Sequence, residues 1–237
     1  MTILDVQKAL IAAGFNPGSP DGVMGPRTRA AIMAFQRAKG LEVDGIVGPV
    51  TAAALFGKSH KPAKADTAIP LHMPWLIEAA RHVGLKQGVG KANNTKIIMD
   101  WASDLDVKLD FPNDEIAWCG LYVGHCMGSA LPNDPLPNGL LGARKWLNYG
   151  MTCKPQLGSI LVFWRESIAD WRGHVGFYWA EDKDTYHVLG GNQADKVSIA
   201  RFPKNRFLDA RWPASLPTRG ITRKASAEGV LESISEA

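Results

Sequence analysis

Asp21-Gly-Val-Met-Gly-Pro-Arg-Thr28 recurs further along the chain as Asp44-Gly-Ile-Val-Gly-Pro-Val-Thr51. In each copy the Asp-Gly pair marks a turn, the second glycine permits positive φ, and the proline sits where a first helical turn tolerates a missing N–H. Each copy therefore predicts a helix start, with Thr28 or Thr51 inside its first turn. Working outward, Ala31, Ile32, Phe35 and Ala38 share one helical face and predict a helix over 28–39. Similar patterns predict helices over 4–13 and 51–56. The duplicated turn thus specifies an all-α three-helix domain over residues 1–57.

Composition sets the outer bounds. A chain of 237 residues exceeds one average domain, and 46% hydrophobic with 21% charged residues is ordinary globular composition, which excludes disordered and collagen-like chains. Lys and Arg number 27 against 23 Asp and Glu, a net charge of +4 without basic runs, so no nucleic-acid arm is expected. A mild positive field suits anionic partners such as envelope polymers. Three cysteines, Cys119, Cys126 and Cys153, are too few and odd in number for a disulfide framework. The N-terminus lacks a basic segment followed by an apolar one, and no stretch approaches a membrane span. The expectation is synthesis in the cytoplasm, no stable membrane insertion and a monomer.

Residues 58–70 carry Ser59, Pro62 and alternating Ala and Lys with no apolar period, and read as a linker. A larger domain is expected over 71–217. Its first part is helical, from Pro74, over 93–105 and over 115–130. Short β-rich runs follow at 159–164, 174–180, 185–189 and 197–202, so the domain is α+β with an antiparallel sheet. Residues 218–237, poor in apolar side chains, read as a frayed helix or a disordered tail.

The two Gly-Pro turns, together with Val6-Gln-Lys-Ala-Leu10 and Ala34-Phe-Gln-Arg37, resemble the peptidoglycan-binding domain of bacterial cell-wall hydrolases. That resemblance implies peptidoglycan as a partner.

In the larger domain, Cys119 follows Asp114-Glu-Ile-Ala-Trp118, with Asn113 or Asp114 as N-cap candidates, which puts the thiol in the first turns of a helix. Free amide donors and the helix dipole there favour thiolate, the nucleophilic form. His174 opens a strand after Gly173, and Asn192 closes the next strand. If Glu181 faces Thr185 across the hairpin, His174 faces Asn192 directly, and His187 falls on the opposite face. A cysteine, a histidine and a polar amide so arranged suit nucleophilic attack on an amide, with histidine moving the proton and the amide orienting the ring.

This region, roughly Pro74 to Pro213, resembles the papain-like cell-wall amidohydrolases of the CHAP and NlpC type, on Trp118-Cys119, Gly158-Ser159 before a strand, Gly173-His174 and a polar third residue. The resemblance implies Cys119 as nucleophile, His174 as base, Asn192 as third member with Gln193 and Asp195 as rivals, and the Cys119 amide as an oxyanion donor. Gly158-Ser159 departs from the family's Gly-Asp. Trp118 and Trp171 are candidates for binding substrate, and His125 reads as a mid-helix packing or surface residue. A zinc site from Cys119, Cys126 and His174 lacks a CxxC or HExxH pair, so no metal and no cofactor are expected.

The implied function is an endolysin-type peptidoglycan hydrolase, held in the host bacterial cytoplasm until a holin-made opening releases it to the wall. The alternatives are a secreted amidase effector and an inactive wall-binding or virion-structural protein.

Overall fold

The computed structural model describes residues 3–22, 24–41, 43, 45, 47, 49–57, 69–88, 90, 94–105, 107–218, 220–225 and 231–235. They fall into two compact units, Met1–Glu78 and Ala79–Ala237. Most of the expected linker, 58–68, lies outside the described residues. Leu71 and Ile77, expected to open the larger domain, pack in the core of the smaller unit.

Three short helices build the smaller unit: α1 (Ile3–Ala12), α2 (Pro26–Ala38) and α3 (Pro49–Phe56). None is long enough to persist alone in water. Val6, Leu10, Ile32 and Phe35 are fully buried between them, each burial contributing about 1.5–3 kcal/mol. The repeated turns explain the rest. Gln7 accepts from the Gly22 N–H at 2.8 Å and donates to Asp21 Oδ1 and Thr28 Oγ1 at 2.8 and 3.0 Å. Gln36 accepts from the Gly45 N–H at 2.8 Å and donates to Thr51 Oγ1 at 3.2 Å. Each copy is thus a glycine turn and a threonine tied to a buried glutamine on the preceding helix.

Helix α4 (Pro74–Arg81) carries the chain across the division, and α5 (Lys96–Asp104) and α6 (Cys119–Ala130) follow. After a 3-10 turn at Ala143–Asn148 come β1 (Met151–Cys153), β2 (Ile160–Trp164), β3 (Gly173–Glu181), β4 (Thr185–Gly190), β5 (Ser198–Pro203), β6 (Phe207–Trp212), β7 (Thr222–Ala225) and β8 (Leu231–Ser235). The sheet runs β1-β6-β2-β3-β4-β5 with antiparallel neighbours; β7 pairs in parallel with the end of β3 and antiparallel with β8. One sheet face buries Leu161, Phe163, Tyr178, Val188 and Ala210 together. Toward α6, Tyr122 meets Phe177 edge-on at 6.3 Å.

Two expectations are corrected here. The stretch 218–237 contributes two paired strands. Its inward positions are Ile221, Arg223 and Ala225, and because the middle one is an arginine buried over the Trp179 ring, the alternation does not look apolar in sequence. Helix α6 starts at Cys119, later than expected, because Asp114 is spent elsewhere. Its Oδ2 accepts the N–H groups of Thr95 and Gly88 at 2.8 and 3.3 Å, which ties the α5 approach to the segment before α6.

Candidate active site

Cys119 occupies the first position of α6, after Trp118. Trp118 is fully buried and donates its indole N–H to Gln87 Oε1 at 2.8 Å, so it braces the helix start from behind. The expected substrate-binding role of Trp118 therefore fails on burial. Gly120, the next residue, lies against the turn that precedes the 3-10 segment: a β-carbon there would come 2.1 Å from the Leu140 carbonyl oxygen. Only glycine lets the helix start approach this closely.

A cleft of about 480 Å³ opens at this end of the sheet, lined by Cys119, His174, Asn192 and Gln193 among others. His174 enters from β3, where it pairs with Phe163 of β2. Its ring stacks on Phe202 of β5, centroids 4.6 Å apart and 6° from parallel. Its Nε2 lies 3.0 Å from Gln193 Oε1.

The orientation of that amide fixes the histidine tautomer. Gln193 Nε2 donates to the Ser198 carbonyl at 2.5 Å, to Ser198 Oγ at 3.1 Å and to the Val188 carbonyl at 3.3 Å. With its NH₂ so engaged, Gln193 presents its oxygen to the ring, so Nε2 of neutral His174 carries the proton and Nδ1 is the acceptor. Gly190 makes room for this pair: a β-carbon there would meet Gln193 Oε1 at 2.8 Å and His174 Nε2 at 3.1 Å.

The expected His174–Asn192 pairing is replaced by His174–Gln193, and the ladder register is not the cause. At the hairpin Glu181 faces Tyr186, one residue off the expected Thr185. A bulge at Trp179 then shifts the ladder back, so that Tyr178 faces Val188 and Phe177 faces Leu189. The expected register thus returns beside the site by an unexpected route. Beyond Gly190 the strand has ended, and Asn192, Ala194 and Asp195 all take left-handed φ, 54°, 53° and 57°. That loop turns the Gln193 side chain inward to meet the ring, while Asn192 lines the same cleft. The signal available in sequence was the Gly190-Gly191 pair, which marks an interrupted strand.

The electrostatics correct a second expectation. Burial pushes the Cys119 thiol up; the Val175, Gly120 and Cys119 amides and the Arg165 charge pull it down by less. Burial also pushes His174 down to about 4, with the Gln193 bond opposing and Arg165 assisting. The helix start favours thiolate as expected, yet desolvation outweighs it. At neutral pH the free site holds a thiol and a neutral imidazole.

The remaining candidates fall outside this cleft. His187 is buried against Asp182, 3.0 Å away. His125 stacks on Trp101 and meets His82 edge-on. Cys126 is buried within α6. Ser159 closes a turn, donating to the Gln156 carbonyl at 2.7 Å. Trp171 is 81% exposed on the loop between β2 and β3, which Arg144 holds by bonds to the carbonyls of Ser167, Ile168 and Arg172. Sequence reasoning missed three cations and an aromatic at the cleft: Arg165, Lys196, Arg206 and Trp164.

Residues 2–55 match the family described as "Putative peptidoglycan binding domain". The match lies wholly within the smaller unit and supports the resemblance carried by the repeated turns. No solved structure matches the chain. Among the described residues no helix is long and apolar enough to cross a membrane.

Proposed function

We propose that the protein is a peptidoglycan hydrolase that cleaves an amide bond with Cys119 as nucleophile, His174 as proton carrier and Gln193 as positioning residue. The observation that carries this reading is the cleft itself, which is lined by both a helix-start thiol and an imidazole anchored through its Nε2 by an amide. On this reading the larger unit is a papain-like amidohydrolase with glutamine as the polar third residue.

In this mechanism Cys119 Sγ attacks the amide carbonyl carbon while its proton passes to His174 Nδ1. The developing oxyanion is met by N–H groups at the start of α6. His174 then gives the proton to the departing amine, and the acyl group stays on sulfur as a thioester. Water attacks the thioester, again losing a proton to His174, and releases a carboxylate and the free thiol. Because the resting pair is neutral, the first proton transfer accompanies attack.

The smaller unit would associate with the wall and keep the larger one near its polymer, so that modest affinities combine through effective concentration. Trp171, rigidly presented on its loop, is a candidate contact for the polymer. Release from the cytoplasm through a holin-made opening belongs to the same proposal.

The test is digestion of purified sacculi. The native chain should release soluble fragments whose new termini, read by mass spectrometry, identify the bond. Cys119→Ala should release none, keep its circular dichroism spectrum and still cosediment with sacculi. Iodoacetamide should alkylate Cys119 with a midpoint above that of an ordinary thiol, since burial raises it. Cosedimentation without cleavage by the native chain would leave a binding protein only.

A further inference from the structure

We infer that the cleft selects a peptide amide flanked by a free carboxylate, held by Arg165, Arg206 and Lys196 beside the Cys119–His174 pair. This names the substrate class for the reading above and rests on it.

Several cations of the larger unit have carboxylate partners: Arg172 with Asp170 and Glu166, Arg201 with Asp182, Lys204 and Lys224 with Glu181, Arg211 with Asp209. At the cleft, Arg165, Lys196 and Arg206 line the wall with no aspartate or glutamate among the lining residues. No ion pair among the described residues involves any of the three. Three like charges around one small concavity repel each other unless an anion joins them, and clefts with low-dielectric walls focus such a field.

The geometry narrows the anion. The Arg206 guanidinium sits over the Trp164 ring, 5.3 Å from its centroid, while Trp164 donates its indole N–H to the Asn205 carbonyl at 3.2 Å. The arginine is thereby pre-oriented with its fork free, the arrangement that favours bidentate carboxylate recognition. Arg165 follows Trp164 at the end of β2 and acts on both reacting groups, favouring thiolate and disfavouring imidazolium. Arg165 and Arg206 line the same cleft as Cys119 and His174, so a carboxylate held by them sits in the cleft with the cleaved amide.

The experiment uses the full chain as Cys119→Ala, so that binding is read without turnover. Two probes are titrated calorimetrically at low salt: the tripeptide L-Ala-γ-D-Glu-L-Lys with free carboxylates, and its twin with every carboxylate converted to carboxamide. The acid form should bind at least about tenfold tighter, as for hydrogen bonds to charged groups. Adding Arg165→Gln or Arg206→Gln should cut the ratio to about threefold or less, and so should 0.5 M salt. Equal affinity for the two probes, or no binding of either at millimolar concentration, overturns the inference. Acid-selective binding by a native chain that cleaves neither probe nor sacculi would keep the inference and overturn the hydrolase reading.

Discussion

Both units use a glutamine amide as a fixed joint, to different ends. In the smaller unit Gln7 and Gln36 each hold a glycine turn and a threonine, so the amide is spent wholly on the fold. In the larger unit Gln193 gives its NH₂ to the backbone and side chain of Ser198 and to Val188, but turns its oxygen to an imidazole in an open cleft. The difference teaches where to look for chemistry: an amide anchored at one end by structure and offered at the other to a titratable ring is positioning that ring. The largest expected effects come from breaking what lies around that second joint.

Gly120→Ala tests how tightly the larger unit is built around Cys119. The added carbon would meet the Leu140 carbonyl oxygen at 2.1 Å and the Leu141 carbonyl oxygen at 2.8 Å, both backbone, so no side-chain rotation relieves it. The expected cost is about 3 kcal/mol or more. Seven of the eight tryptophans lie in the larger unit, all but Trp75, so tryptophan fluorescence is dominated by that unit. The fluorescence transition should fall sharply in urea. A transition unmoved by more than about 0.5 kcal/mol would mean that the helix start is loosely seated.

Gln193→Leu sharpens the comparison at the joint itself. Losing the acceptor for Nε2–H frees the ring, and kcat should fall about tenfold to a hundredfold with little change in KM. The sign of the pH effect follows from the bond. Gln193 favours the protonated imidazole, so its removal should move the acid limb of the rate profile to lower pH, whereas Gln193→Glu should move that limb upward. Asn192→Ala should change kcat less than about threefold. If Asn192→Ala proved the more damaging and Gln193→Leu left the acid limb in place, Asn192 would be the orienting residue.

The sequence was most legible where one physical rule acts alone. Pro26 and Pro49 announce helix starts, and α1 to α3 begin and end within about two residues of expectation. Strands β2 to β5 carry dense β-branched and aromatic runs and were legible for the same reason. Strands β1, β6, β7 and β8 were not anticipated: β1 has only three residues, and β7 buries an arginine. Cys119 and His174 were legible as reactive types at an expected helix start and strand start. The Gln193 amide beside the ring was not, because three left-handed residues after Gly191 decide which of two adjacent amides faces inward. Burial was equally invisible, and it reversed the expected charge state of Cys119 and removed Trp118 from the cleft.

The smallest expected effects belong to the smaller unit, where the duplicated turn makes its own internal control. Gln7→Ala strips partners from Gly22 N, Asp21 Oδ1 and Thr28 Oγ1; Gln36→Ala strips them from Gly45 N and Thr51 Oγ1. Both glutamines are about 1% exposed, so each change leaves buried polar atoms, at a cost of about 1–3 kcal/mol. The two losses should be similar, because the two copies are built alike, and neither should alter kcat on a soluble peptide. Far-ultraviolet circular dichroism at increasing temperature should show the helical signal lost earlier in both variants, with the main tryptophan fluorescence transition, carried by the seven tryptophans of the larger unit, unmoved. Asp21 lies nearer the surface than Gly45, and water can replace part of what Gln7 loses, so Gln36→Ala should be the more damaging by a few tenths of a kcal/mol. A large loss for one variant with none for the other would mean that the repeated sequence does not carry a repeated mechanical role.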